Sequence, residues 1–188
     1  VFKENANNAA FSVTATGTPQ LTYQWLFNGV VISGATNSVY VISLVTTNQA
    51  GSYSVLISNP IGSTSSAIAT LTVQTLPKFL SQPISQSVNH GGSFTLSTSV
   101  TGTAPFTYQW NKNGVPISGA TNNVFALTGA NESDSGLYSV TVFNICGSVT
   151  SNPANVTVAG LPPSIVGHPQ SQDVKKGSAI VTFNVVAQ

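Results

Sequence analysis

From Phe11 to Ala15 apolar and polar residues alternate one for one, and the same period of two runs through Tyr23, Gln24 and Trp25 and from Tyr53 to Ile57. Successive side chains of a strand point to opposite faces, so this spacing predicts short strands with one buried face. Turn residues separate them. Asn28-Gly29 and Asn113-Gly114 are two-residue hairpin signals, because both central positions of such a turn need positive φ, and Gly34, Gly51 and Gly62 mark further turns. No stretch carries helical periodicity, so the pattern predicts an all-β chain of antiparallel β-sandwiches.

The pattern also repeats. TYQWLFNGVVISGATN, residues 22–37, returns as TYQWNKNGVPISGATN, residues 107–122, with 13 of 16 letters kept at an offset of 107 − 22 = 85. The same offset places Gly17 on Gly102, Tyr40 on Phe125, Gly51 on Gly136, Tyr53 on Tyr138, Asn59 on Asn144 and Val73 on Val158 without a gap. A fixed period of this kind indicates one structural unit repeated in tandem. A third copy opens near Leu161, with one inserted residue. The expected organisation is a first unit at 1–74 without its opening strand, a second at 75–159, and the start of a third at 160–188. Pro116 stands where the first copy has Val31, which fits an edge strand.

Composition narrows the function. Only 5% of the 188 residues are charged, with five Lys, no Arg and a net charge of +1. Binding to nucleic acid needs a basic footprint that is missing here. No apolar run approaches the roughly 20 residues that span a bilayer, so this segment is not expected to insert in a membrane. The single Cys146 excludes a disulfide within the chain.

Strand residues Ala15 and Gly17, then Trp25 or Trp110, then the corner Asp134-Ser135-Gly136-Leu137-Tyr138 resemble an immunoglobulin-like domain of the intermediate set. The resemblance implies a core built on Trp25, Tyr53, Trp110 and Tyr138, the tyrosines forming the corner of such sandwiches. Where that family often places two cysteines, this chain has Val13 with Val55 and Thr98 with Val140, and Val185 in the third copy. Trp25 and Trp110 are therefore expected to pack on aliphatic side chains. Gln49 replaces the corner Asp in the first copy. Disulfide-free domains of this kind occur in intracellular muscle-type proteins and in tandem repeats of large bacterial surface or secreted proteins. The low charge and the Ser, Thr and Asn surface resemble the bacterial group.

Candidates for chemistry are sparse. The acids are Glu4, Glu132, Asp134 and Asp173, and the histidines are His90 and His168. Glu132 and Asp134 sit at a strand corner, where a carboxylate shapes the turn by accepting backbone hydrogen bonds, and Ca²⁺ would need six or more oxygen ligands. No catalytic motif, metal cluster or cofactor is expected. Cys146 lies in a turn, where it is either a small buried residue or a crosslinking thiol. Asn131 and Asn155 fit glycan acceptor patterns. Phe27, Phe79 and Phe143 have no assigned core position, and Phe79 is expected to pack between neighbouring units.

These readings converge on a non-enzymatic structural or adhesive segment of an extracellular protein, a stalk or filament of tandem units. Its partners would be neighbouring immunoglobulin-like repeats, with other copies of the same protein as a further option. The alternative is a carbohydrate- or protein-binding accessory module of a secreted multidomain protein.

Overall fold

The structure, a computed structural model, describes residues 2, 3, 8–177 and 182–187. Glu4 lies outside the described residues. Among the described residues strands dominate, broken by one-turn 3-10 segments at Thr47–Gln49 and Glu132–Asp134. They hold the corner residues singled out above, Gln49 in the first unit and Asp134 in the second.

In residues 78–159 a six-stranded sheet runs Gln86–Asn89, Ala154–Ala159, Gly136–Asn144, Thr107–Lys112 and Val115–Pro116, with Gly147–Thr150 also paired to Gly136–Asn144. Pro116 lies at its edge, where no further strand needs a donor. Ser93–Ser97 pairs with Val124–Thr128, and Lys78–Ser81 with Ser99–Thr101. Between the layers Phe94, Leu96, Trp110, Tyr138, Val140 and Val156 form one buried cluster.

Residues 9–74 follow the same plan. Thr22–Phe27 lies between Val30–Val31 and Gly51–Asn59, which also pairs with Gly62–Ser65 and Ala69–Leu71, while Ala9–Ser12 pairs with Val39–Ile42. Here the buried residues split into two clusters, one around Tyr53 and one around Trp25, bridged by the half-buried Phe11 and Tyr40. Ile165–Gly167 and Val186–Ala187 form a further antiparallel pair.

The predicted hairpins form. Asn28 and Asn113 have φ of 49°, and Gly29 and Gly114 have φ of 79° and 80°, so both central residues are left-handed as a two-residue turn of this hand requires. Each Asn also reaches across the sheet, where Asn28 Oδ1 accepts from the Ser52 amide and Asn113 Oδ1 from the Leu137 amide, both at 2.9 Å.

Candidate functional site

The long repeated motif holds a tryptophan in place. Trp25 Nε1 donates to Asn37 O and Trp110 Nε1 to Asn122 O, each at 2.9 Å. Gln24 Nε2 donates to Ile32 O and Gln109 Nε2 to Ile117 O, which ties the strand to the returning SGATN loop. Burying an indole leaves one donor to satisfy, and this loop supplies the acceptor. The repeated letters therefore have a structural explanation and need no ligand.

Around each Trp lie the other core positions. Trp25 pairs with Val55 and Trp110 with Val140 across neighbouring strands. Val55, Tyr53, Tyr138 and Val140 are buried, Val13 is half-buried, and Thr98 is buried with its hydroxyl donating to Ser81 O at 2.7 Å. Tyr53 Oη donates to Gln49 O and Tyr138 Oη to Asp134 O, both at 2.8 Å. Gln49 keeps the corner without a charge: its Oε1 accepts from the Thr46 amide, as Asp134 Oδ2 accepts from Asn131.

The titratable residues do not converge. Asp134 serves its turn, while Glu132 Oε1 meets His90 Nδ1 at 3.0 Å, a contact between residues 42 apart that spacing could not reveal. Its own backbone amide first, and then His90, hold the Glu132 carboxyl below the usual carboxylate range. His168 and Asp173 lie elsewhere, in the exposed segment after Gly160. Among the described residues no three His, Cys, Asp or Glu side chains come together. Asn131 and Asn155 are both exposed, and Asn131 Oδ1 accepts from the Ser133 amide.

Cys146 is only 6% exposed, which favours the small buried residue over the crosslinking thiol. One expectation changes. Phe79 packs against the core of its own unit, not between units. Phe27 packs against Tyr53 with the rings tilted and their centroids 5.0 Å apart, leaving Phe143, 41% exposed, as the outward member of the three.

The site that spacing missed is the connection ahead of the second unit. Thr75 donates its amide to Thr103 Oγ1 at 2.9 Å, and Asn144 Nδ2 donates to both Thr75 O and Thr103 O, at 2.7 and 2.8 Å. Asn144 Oδ1 accepts from the Cys146 amide, so one side chain joins the connection and the turn. Pro77, just beyond, is buried.

Residues 77–144 match the family model described as Immunoglobulin domain. The chain is 30% identical over 183 residues to Peroxidasin of Drosophila melanogaster, covering 88% of this chain and 12% of that protein. Over 59 residues it is 44% identical to the Decoration protein of Escherichia phage T5, covering 31% of this chain and 36% of that one. It thus spans a minor part of either relative. Among solved structures, the titin I-band fragment I67-I69 superposes with a TM-score of 0.75 at 21% identity, covering all of this chain and 72% of that one, which bears on fold alone. The second unit matches the immunoglobulin domain family, and the chain has the fold of tandem immunoglobulin-like domains.

Proposed function

We propose that these residues are a non-catalytic spacer, a run of immunoglobulin-like units at 1–74, 75–159 and 160–188 in a stalk, filament or adhesive scaffold of a bacterial extracellular protein. The observation that carries this reading is the anchored connection at Thr75 to Pro77. A linker free to swing would leave its backbone groups to water; here Thr75 is bonded through both its amide and its carbonyl to the unit that follows. Fixed joints convert stacked sandwiches into reach and stiffness, which is what a spacer has to provide. The partners are neighbouring repeats, and other copies of the protein where filaments assemble.

The surface supports the same reading. Charged side chains are few, so association by charge steering is weak and a neutral Ser, Thr and Asn exterior faces solvent. The test is small-angle scattering together with electron spin-echo distances between labels on the two units. One narrow distance distribution is expected, and Asn144→Ala should broaden it. A broad distribution in the unaltered chain would sink the spacer reading. Strong, saturable binding to one glycan on an array would move the assignment to a recognition module.

A further inference from the structure

The two units agree letter for letter along SGATN, residues 33–37 and 118–122, yet they differ on either side of it. In the first unit Val30, Val31, Val39, Val41 and Leu44 are all exposed. Their counterparts at the offset of 85 are Val115, Pro116, Val124, Ala126 and Gly129. A proline on an edge strand is one way a protein blunts a free edge, and charged side chains are another. The first unit has neither here, because Gly29 to Asn48 holds no proline and no charged residue. Leu44 is the least expected of these residues. Its φ is 51°, in the left-handed region that a bulky side chain enters only under strain, and Gly129, at φ 66°, takes the same conformation without that cost. The leucine side chain is 65% exposed, so packing within the unit does not account for it.

The strand beside these residues has an open side. Val39–Ile42 pairs with Ala9–Ser12 and, among the described residues, with no other strand. Residues 32–38 connect it to Val30–Val31 through the SGATN loop, a span too short to lay a further strand along that side. The parity of its hydrogen bonds is set where the Val13 amide donates to Ser38 O at 3.0 Å. In an antiparallel pair, residues whose N–H and C=O face the partner alternate with residues whose groups face away. Ser38, Tyr40 and Ile42 therefore face Ala9–Ser12, and Val39 and Val41 turn their amides and carbonyls to the open side. A groove of about 400 Å³ runs there between Ile32, Gly34, Thr36 and Val41, against about 250 Å³ at the matching place in the second unit.

We propose that this flank of the first unit docks a second copy of the chain, the two Val39–Ile42 strands pairing antiparallel about a two-fold axis. Parity selects the register. Val39 of each copy exchanges backbone hydrogen bonds with Val41 of the other, and Tyr40 lies opposite Tyr40. The exposed valines then cover one another, and two two-stranded sheets become one of four strands. Residues that face each other in this register have numbers that sum to 39 + 41 = 80, so Leu44 arrives level with Thr36 of the other copy, at its groove. Charge argues for a like partner: an edge without charged residues meets its own copy with no repulsion, whereas a charged partner would lose hydration there and gain no counter-ion. The proposal rests on the reading that other copies are among the partners, and it gives that reading a contact surface; the stiffness of the joint at Thr75 does not depend on it.

Sedimentation of the 188-residue chain over a concentration series should show a reversible dimer. Val41→Lys is expected to weaken it about tenfold, because the altered pair occurs twice in the dimer. Adding Val39→Glu to that variant sets a carboxylate opposite each ammonium and should restore association, which it can do only in the register given. Leu44→Gly separates docking from folding: the dimer should weaken while the monomer melts no lower, since glycine suits the left-handed turn. On dilution the Val39 and Val41 amides should exchange faster while the Tyr40 amide keeps its protection. A chain that stays monomeric throughout would overturn the proposal and leave the flank to a foreign strand, and the distance between labels on the two units would still decide the spacer reading by itself. A dimer indifferent to Val41→Lys, or one that the double variant does not restore, would overturn the edge-to-edge pairing.

Discussion

Tyr53 and Tyr138 each fill a core and close a corner with one side chain, the ring packed among aromatics and the hydroxyl donating to a backbone carbonyl four residues back. Tyr138→Phe keeps the ring and leaves Asp134 O without that donor, so a urea melt should report a loss of about 0.5–1.5 kcal/mol. Burial also disfavours the phenolate, which raises both tyrosines above the ordinary value of 10.0. Below that pH both folded and unfolded chains are neutral at these positions and the contribution is fully present. Above it the unfolded chain ionises first, and stability should fall until the folded pKa is passed. The double variant Tyr53→Phe/Tyr138→Phe is expected to flatten that alkaline slope in pH-dependent melts. Glu132 runs the other way: its lowered pKa gives a contribution present above the usual carboxylate range and lost as pH falls, and its exposure keeps that contribution small.

Strands, hairpins and corners were legible in the sequence because their causes are local. Asn28-Gly29 needs only its own two φ angles, and the alternation around Trp25 needs only the strand period. What was not legible depends on residues far apart along the chain. Asn144 and Thr75 are 69 residues apart, and His90 and Glu132 are 42 apart. Phe79 occupies the same half-buried pattern whether it faces its own core or a neighbour, so alternation alone could not place it. The connection offers a sharp check at this scale. Asn144→Asp would set a carboxylate against the two carbonyls that the amide now serves, and should destabilise the second unit by about 1–3 kcal/mol in a chemical melt. Asn59→Asp, which loses one such bond, should cost less in the same assay.

Pulled from its ends, the whole molecule loads the strands that begin and end each unit. In the second unit Gln86–Asn89 lies parallel to Val156–Ala159 over four residue pairs, so its hydrogen bonds are sheared together. Force spectroscopy on the second unit should therefore show a lower unfolding force for Val88→Pro, and an unchanged force would rule out this ladder as the mechanical clamp. The repeat has a kinetic consequence as well. Thr22–Phe27 and Thr107–Lys112 both begin TYQW and dock on their partners in the same register, Trp25 opposite Val55 and Trp110 opposite Val140. Val55 lies 30 residues after Trp25 and 55 before Trp110, less than one doubling of the loop, so closure entropy disfavours the wrong partner by only about 0.6 kcal/mol. A refolding chain meets a decoy nearly as good as the native mate, and the two units are a standing invitation to trade strands.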